Sequence, residues 1–299
     1  CTCLAGSRSP ISYDVVIVGG TPGGIMTAVG AARQGKTALL LERNQHIGGL
    51  PANGLGATDI HTRGATEGLF KEFVDRIENH YVETYGKNSR QARDCSDGYH
   101  FEPSVAEKIF EAMLAEQDRV AVKRMRQFDC DPANVRLDNS RLVEIQIKNR
   151  ETGATERYRA QVFIDATYEG DLAAAAGVPY RLGRESVDEY GEPYAGRVYK
   201  RWGGPAEAGS TGLADNAVQA YNFRLCLTKE PDLRAPIEKP PDYNRDEYVS
   251  LIEDVKQGRT TGDTVPDGIW RLTNMVKLPN DKTDSNNQHF AFISTDLPE

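Results

Sequence analysis

The fold is decided by the stretch YDVVIVGGTPGGIMTAVGAARQGKTALLLE, which occupies residues 13–42. It opens with the apolar, β-branched run Tyr13–Val18, which is typical of a strand buried on both faces. The glycine-rich turn Gly19–Gly24 follows. Its Pro22 suits the first turn of a helix, because a missing N–H costs nothing at that position. The stretch therefore predicts a strand that runs through a tight turn into a helix.

The rest of the same stretch completes a strand–helix–strand unit. The alanine-rich segment Ile25–Gln34 predicts the helix, and Gly35 is a typical C-terminal stop. A second apolar run, Thr37–Leu41, predicts another buried strand, which ends at Glu42. Two strands joined by a crossover helix favour a parallel sheet with a right-handed connection.

The turn and the acid together predict a dinucleotide site. The usual fingerprint is Gly-x-Gly-x-x-Gly, and Thr21 replaces its middle glycine. This threonine must either retreat from the pyrophosphate or offer its hydroxyl to a phosphate. Glu42 would bind free ribose hydroxyls, which favours FAD or NAD over NADP and leaves those two open. A glycine-rich turn without a nucleotide is the alternative. The predicted cofactor contacts of this unit are Gly19, Gly20, Thr21, Pro22, Gly23, Gly24, Glu42 and Arg43.

The string Gly30–Thr37 also matches the letters of a P-loop, Gly-x-x-x-x-Gly-Lys-Thr. A working P-loop follows a strand and opens a helix, whereas this string closes a helix and opens a strand. Its amides would face away from a phosphate, so the sequence argues against an ATPase or GTPase.

Composition narrows the class of protein. The 299 residues suffice for one large domain or two smaller ones, and 39% hydrophobic with 27% charged residues is ordinary for a globular chain. The net charge of −8 argues against nucleic-acid binding. The uncharged run Val15–Ala32 contains five glycines and a proline, which suits a turn and not a transmembrane span.

Cysteine and histidine usage bears on compartment and metals. The sequence starts at Cys1, which indicates either a removed leader or a fragment. A removed leader favours an extracellular or periplasmic protein, and Cys1 is then a candidate lipid anchor. Five cysteines are too few for a disulfide scaffold. The motifs His-Glu-x-x-His and Cys-x-x-Cys are absent from the sequence, so no metal site is predicted.

Further elements follow from periodicity and capping signals. Leu69, Phe73, Ile77 and Tyr81 recur every four residues and predict a helix. A second helix is expected to begin with Ser104 as N-cap and Glu107 completing a capping box. The expected elements are helices over Ala65–Tyr85, Ser104–Glu116 and Asp171–Ala176, a strand over Val120–Phe128, a hairpin of Leu142–Lys148 and Glu156–Ile164, and strands over Tyr221–Leu227 and Ile269–Lys277.

Two more segments carry small residues in a pattern that suits a nucleotide. One is His46–Asp59, whose glycines let the backbone pass close to a flat or phosphorylated group, or simply form a loop. The other is Phe163–Asp171, an apolar strand that runs into Asp-Ala-Thr and then Gly-Asp. It predicts a strand-to-turn junction beside the nucleotide.

With these segments, the chain resembles the FAD-dependent oxidoreductases that carry Gly-Gly-Thr-x-x-Gly as their fingerprint. The resemblance also takes in Phe101-Glu102-Pro103, Tyr221–Thr228 and Lys277–Asp284. It implies FAD as cofactor and an α/β fold, a Rossmann-like domain similar to that of glutathione reductase with a mixed α+β cap. The further cofactor contacts expected are Gly48, Gly49, Leu50, Gly56, Ala57, Thr58, Val122, Asp165, Ala166, Thr167, Gly170 and Asp171.

The resemblance also implies a domain organisation. Residues 1–176 are expected to form the FAD-binding domain, with an inserted β-hairpin at about 141–164. Residues 177–299 are expected to form the substrate or cap region, because proline and glycine become frequent there and the periodicity weakens. Family members continue beyond this length. We therefore expect a companion C-terminal segment or chain to complete the flavin end of the site.

The implied activity is that of an oxidase or dehydrogenase. A small organic or carbohydrate-like donor would give a hydride to flavin N5. His61 is a candidate catalytic residue because it follows a glycine-rich loop, and Arg224 is another because it lies in an aromatic strand. Structural roles for both side chains are the alternatives. A flavin monooxygenase and a nucleotide-binding subunit without turnover are the alternative functions.

Overall fold

The computed structural model describes residues 11–200, 205–218, 224–249, 252, 256 and 274–286. The described residues up to Pro179 form one compact unit together with Leu278–Asn280. The described residues of Tyr180–Lys277, and those from Asp281 onward, form a second unit. The assignment of a cofactor domain to 1–176 and a substrate region to 177–299 stays a prediction.

The first unit alternates strands and helices in the order that the sequence predicts for its first third. Its strands are β1 (Ile11–Val18), β2 (Ala38–Leu41), β3 (Val120–Lys123), β4 (Arg126–Gln127), β5 (Val135–Asp138), β6 (Arg141–Asn149) and β7 (Thr155–Asp165). Its helices are α1 (Pro22–Arg33), α2 (Gly49–Ala52), α3 (Gly68–Tyr85), α4 (Arg90–Asp94), α5 (Pro103–Ala115) and α6 (Asp171–Ala175), with 3-10 turns at Arg63–Ala65 and Pro132–Asn134.

The strands β3, β2, β1 and β7 lie side by side in this order and run parallel. Val18 pairs with Leu41 on one side and with Asp165 on the other. The carboxyl ends of these strands therefore meet at one edge of the sheet. In open α/β sheets this is the edge that binds ligands.

One face of the sheet is covered by α1, α3 and α5. Ile17 of β1 points to this face and is fully buried, as is Ile25 of α1. Phe73 and Phe110 stack with ring centroids 4.4 Å apart, which joins α3 to α5. The other face is buried as well, because Val16 and Val18 are covered there. Burial on both faces explains why β1 reads as a continuous apolar run.

The second face is covered by an antiparallel layer, which consists of β4, β5, β6 and the first part of β7. The first part of β7 pairs antiparallel with β6, and its later part pairs parallel with β1. The strands β5 and β4 add to β6. Ile145, Ile147 and Tyr158 of this layer pack with Phe128 against β1 and β2. The result is a mixed sheet in an α/β fold.

Two local predictions were wrong. Helix α5 begins at Pro103 with Glu102 as its cap and has no side-chain capping bond. Glu107 accepts hydrogen bonds from the Ile47 backbone N–H (3.3 Å) and contacts His46, so the expected capping box does not form. The predicted strand Val120–Phe128 is divided into β3 and β4, because Met125 takes a left-handed conformation with φ 56°.

The second unit has little regular structure among its described residues. A three-stranded sheet has the order β8 (Leu225–Thr228), β10 (Lys282–Asn286), β9 (Asn274–Leu278). The predicted strand residues 221–223 and 269–273 lie outside the described residues. Its other elements are helix α7 (Val187–Tyr190) and 3-10 turns at Pro231–Leu233 and Arg245–Tyr248.

The covering layer contains a half-buried charge cluster that makes stability depend on pH. Burial alone would raise the pKa of Glu156, but hydrogen bonds from Tyr158, Arg126 and Asn149 outweigh it and lower this pKa to about 2. A carboxyl whose folded pKa is depressed stabilises the fold above its unfolded pKa. That contribution is lost as the pH falls through the folded pKa.

We expect Glu156→Gln to lower the free energy of unfolding at pH 7 by about 1–3 kcal/mol. The acid-induced loss of stability between pH about 4.5 and about 2 should also become shallower. Urea unfolding at a series of pH values measures both effects. Glu151→Gln is the control, because Glu151 pairs with the same Arg126 but is 51% exposed. Equal stability of the two variants at every pH would contradict this account.

Candidate functional site

A cavity of about 260 Å³ lies at the carboxyl edge of the parallel strands, where β1, β2 and β7 end. It is formed by the turns that follow these three strands and by the loop that leads into α2. The side chains and backbone that line it belong to Val18, Gly19, Thr21, Leu41, Glu42, Arg43, Asn44, His46, Gly49, Leu50, Asn53, Arg126, Phe128, Thr167, Tyr168, Glu169 and Asp171.

Thr21 is the N-cap of α1 and also ties two turns together. Its hydroxyl accepts the Gly24 N–H (3.3 Å) and donates to the Ala166 carbonyl (2.8 Å). The Thr21 hydroxyl therefore donates its proton to the Ala166 carbonyl in the turn after β7. A contact between Thr21 and a phosphate stays a prediction.

The glycines of the turn differ in how much room they have. A Cβ at Gly19, where φ is 107°, would lie 2.5 Å from the Ala166 carbonyl oxygen. A Cβ at Gly24 would overlap the Gly19 carbonyl oxygen and lie 3.1 Å from Ala166 Cβ. A Cβ at Gly23 would meet only Thr21 Oγ1, at 3.8 Å. The close packing of the two turns therefore requires glycine at positions 19 and 24 but not at 23.

Glu42 is 9% exposed and is held in place by backbone groups on both sides. Its Oε2 accepts the Gly20 N–H and its Oε1 accepts the Asn44 N–H, each at 2.8 Å. Both oxygens keep a further lone pair for another donor. A Cβ at Gly20 would lie 2.8 Å from Oε2, so this glycine makes room for the carboxylate.

The start of α1 offers amide groups to the cavity. In the described part of the chain, the N–H groups of Thr21 and Gly23 have no hydrogen-bond acceptor, and Pro22 has no N–H. The amino end of a helix carries a partial positive charge and favours anions. This end of the cavity is therefore suited to a phosphate.

The turn between β7 and α6 is fixed by Asp165. Its Oδ1 accepts the Thr167 N–H (3.0 Å) and hydroxyl (2.7 Å), and its Oδ2 accepts the Ala173 N–H (2.9 Å). Gly170 takes the left-handed conformation, with φ 76°, that this turn requires. Asp165, predicted as a cofactor contact, has a side chain that orders the turn. Its contact with a cofactor stays a prediction.

The rim of the cavity carries side chains of both signs. Arg43 pairs with Glu169 at 3.1 Å. The hydroxyl of Tyr168 accepts the Leu50 N–H at 2.8 Å. Burial raises the pKa of Asp171, and the neighbouring carboxylates of Glu169 and Asp165 raise it further.

Other predicted cofactor contacts lie outside the wall of the cavity, and their roles stay predictions. Gly56 contacts Leu278, because a Cβ there would lie 2.5 Å from Leu278 Cδ1. Ala57 forms a β-bridge with His100, and Thr58 donates to the Tyr99 carbonyl (3.1 Å). The remaining predicted contacts outside the wall are Gly20, Pro22, Gly23, Gly24, Gly48, Val122, Asp165, Ala166 and Gly170. All but Val122 lie in the turns near the cavity, in the first turn of α1 or at the end of β7.

The two predicted catalytic residues are not brought to this cavity. His61 is exposed in the loop before the 3-10 turn at Arg63–Ala65. Arg224 donates from Nη1 to both carboxylate oxygens of the fully buried Asp284, at 3.1 Å each, within the second unit. The ion pair agrees with the structural alternative for Arg224, and both catalytic roles stay predictions.

Sequence reasoning did not single out several wall residues. Asn44 follows Glu42 by two positions, so its role could have been inferred from the strand end. Glu169 lies within the segment that the sequence marked as a turn beside the nucleotide. Arg126 and Phe128 come from the region after the break at Met125, and that break has no signal in the sequence.

We expect Thr21→Val to lower the free energy of unfolding by about 1–2 kcal/mol, since it removes both the helix cap and the tie to Ala166. Thr21→Ser keeps the hydroxyl and should stay within about 0.5 kcal/mol of the wild type. Urea unfolding of the apoprotein measures the difference. A serine variant as unstable as the valine variant would show that the methyl group, not the hydroxyl, stabilises the turn.

Comparison with known proteins places the chain in a family. The sequence profile described as FAD dependent oxidoreductase matches residues 14–299. The chain belongs to the FAD-dependent oxidoreductase family. This confirms the prediction of an FAD-dependent oxidoreductase with FAD as its cofactor, whereas membership in the group with the Gly-Gly-Thr-x-x-Gly fingerprint stays a prediction. Similarity to glutathione reductase in particular stays a prediction.

The cavity of this family member suits the adenosine diphosphate half of FAD. The N–H groups of Thr21 and Gly23 lie at the amino end of α1, and Thr21 lines the cavity. Glu42 is fixed with lone pairs remaining for ribose hydroxyls. The volume is somewhat below the range of about 300–1,000 Å³ for ligand pockets, which suits part of a long cofactor.

Individual relatives match shorter parts of the chain. An NADH oxidase from Thermoanaerobacter brockii is 43% identical over 42 residues, which are 14% of this chain and 6% of the oxidase. A myxobacterial chondrochloren halogenase is similar over 53% of this chain and 38% of its own, with 20% identity and a TM-score of 0.37. The glycerol-3-phosphate dehydrogenase of Bacillus halodurans, solved with FAD, is similar over 55% and 36%, with 13% identity and a TM-score of 0.38. The chain thus spans well under half the length of these proteins.

Two further features of the described residues bear on partners. No helix among them is both long and apolar enough to span a bilayer. Nor do the described residues bring three or more His, Cys, Asp or Glu side chains together as a metal site would require.

Proposed function

We propose that this chain is the FAD-binding part of an oxidase or dehydrogenase that takes a hydride from a small organic or carbohydrate-like donor. The observation that carries the proposal is the arrangement of Glu42 and the amino end of α1 around one cavity at the carboxyl edge of the sheet. When bound, FAD supplies the redox chemistry, because its N5 accepts a hydride.

The residues of the chain hold the cofactor in this proposal. The N–H groups of Thr21 and Gly23 bind the diphosphate, aided by the partial positive charge of α1. Glu42 accepts hydrogen bonds from the ribose hydroxyls, and the backbone bonds from Gly20 and Asn44 keep it oriented. Preorganised groups of this kind bind well because little freedom is lost on binding.

Two side chains, Arg224 and His61, are candidates to act on the hydride donor. Among the described residues, Arg224 donates to Asp284 from Nη1, so the other N–H groups of its guanidinium remain as donors for a substrate oxygen. His61 is exposed and is a candidate base for a donor hydroxyl or amine. A companion C-terminal segment or chain completes the flavin end in this account, which intact-mass measurement of the native protein tests.

Anaerobic reduction tests the proposed function. The FAD-loaded protein is mixed with sugars, alcohols and amines, and the flavin absorbance near 450 nm, about its usual position, is followed. The expected result is bleaching by one donor class and recovery when oxygen or another acceptor is added. If dithionite bleaches the flavin while every donor class fails with native full-length protein, the chain is a nucleotide-binding subunit and not an oxidase or dehydrogenase.

A further inference from the structure

Two consecutive side chains of the turn between β7 and α6 reach across the mouth of the cavity. The hydroxyl of Tyr168 accepts the Leu50 N–H at 2.8 Å. Oε1 of Glu169 pairs with Nη2 of Arg43 at 3.1 Å. The two partners belong to different elements, since Leu50 is in α2 and Arg43 follows β2. All four residues line the cavity.

The strand order shows what these contacts cross. β1 lies between β2 and β7, so the pair of Arg43 and Glu169 passes over the carboxyl end of β1, where the glycine-rich turn begins. The Tyr168 hydroxyl lies against Gly49, where a Cβ would overlap it. The same Cβ would lie 3.1 Å from Pro22 Cδ at the start of α1. Both contacts therefore stand over the site proposed for the diphosphate.

The hydrogen bond between Tyr168 and Leu50 and the ion pair between Arg43 and Glu169 are both easily broken. Tyr168 is 58% exposed, and the side chains of Arg43 and Glu169 are 55% and 37% exposed. Exposed ion pairs and single hydrogen bonds add little stability. The backbone beneath is fixed, because Asp165 and Thr167 hold the turn through four hydrogen bonds. Side-chain rotation alone can then open the mouth.

We propose that Tyr168 and Glu169 form a strap that closes over the bound cofactor and must release Leu50 and Arg43 before FAD enters or leaves. The inference rests on the assignment of the FAD site to this cavity. The strap acts as a barrier in both directions, so loosening it speeds binding and release together. A residue that merely contacts FAD would change the release rate alone.

Stopped-flow fluorescence of FAD tests the strap in the full-length protein. Association is followed on mixing apoprotein with FAD, and dissociation on mixing holoprotein with an excess of a competing FAD-binding apoprotein. We expect Tyr168→Phe and Glu169→Gln each to raise both rates about three- to tenfold, the effect of losing one exposed contact. Raising the salt from about 50 to 500 mM should speed release in the wild type more than in Glu169→Gln, because salt screens the ion pair.

Matched controls come from the same unit, near the amino ends of the parallel strands. Tyr13→Phe removes a hydroxyl from β1, and Glu116→Gln breaks an exposed pair with Arg76. Both are expected to keep wild-type rates. Melting temperatures show whether each variant is folded, and the two strap variants are tested independently.

The possible outcomes separate the strap from the site beneath it. Wild-type rates in Tyr168→Phe and Glu169→Gln overturn the strap, and so does faster release with unchanged association. Absence of FAD binding by the folded wild type overturns the site itself. Faster binding and release in both variants, with unchanged controls, supports the strap.

Discussion

Replacing Gly24 by alanine is expected to abolish FAD binding, whereas replacing the adjacent Gly23 is expected to leave it intact. A Cβ at position 24 would overlap the Gly19 carbonyl oxygen and press on Ala166 at 3.1 Å. To remove this steric overlap, the turn after β1 must move away from the turn after β7. That movement displaces the backbone N–H groups at the amino end of α1. A loss of affinity of at least about 100-fold is expected, since misplaced amides lose several charge-assisted hydrogen bonds.

Gly23→Ala is a close control, because alanine keeps the backbone N–H that is proposed to bind the diphosphate. A Cβ there meets only Thr21 Oγ1 at 3.8 Å, and alanine favours helix more than glycine does. FAD titration by fluorescence quenching, with circular dichroism as a check on folding, measures both variants. Equal affinity of folded Gly24→Ala and Gly23→Ala would show that the turn does not hold the cofactor.

Glu42→Ala is expected to weaken FAD binding by about 100-fold. The substitution removes the proposed hydrogen bonds to the ribose, and bonds to a charged group contribute about 1.5–3 kcal/mol each. It also frees the Gly20 and Asn44 amides, which lose the oxygens that accept them at 2.8 Å. The same FAD titration gives the dissociation constant.

Glu144→Ala is the matched control for this variant. Glu144 is 8% exposed, close to the 9% of Glu42, but it lies in β6 and pairs with Arg159 at 2.7 Å. Its loss should lower the melting temperature and leave FAD affinity unchanged. A Glu42→Ala variant that binds FAD as tightly as Glu144→Ala would rule out the ribose role of Glu42.

The first third of the fold was predictable because its signals are local. β1, α1 and β2 follow from an apolar run, a proline and glycine stops, all within 30 residues of each other. Helix α5 was placed to within one residue, but its predicted capping box is missing, because Glu107 contacts His46 and Ile47, which are distant in sequence. The break between β3 and β4 rests on the left-handed Met125, a conformation that the residue type does not favour.

For the candidate site too, features that are local in sequence could be predicted, whereas contacts between residues distant in sequence could not. The glycines and Glu42 could be read from spacing, since a fingerprint needs room for a phosphate at fixed positions. The hydrogen bond that Thr21 donates could not be predicted, because its acceptor Ala166 lies in the turn after β7, far away in sequence. Gly56 packs closely against Leu278 and the Phe101 carbonyl, which the sequence did not predict, and its approach to a cofactor stays a prediction. Tertiary contacts of this kind have no local signature.

The central claim is that the cavity between Glu42 and α1 holds FAD. The most direct test is the visible spectrum of the folded protein after it is mixed with FAD and passed through gel filtration, beside Gly24→Ala treated in the same way. We predict oxidised-flavin bands near about 370 and 450 nm at one FAD per chain in the wild type, and none in the variant. A folded wild type that elutes colourless, or a variant that retains the same flavin, would contradict the claim.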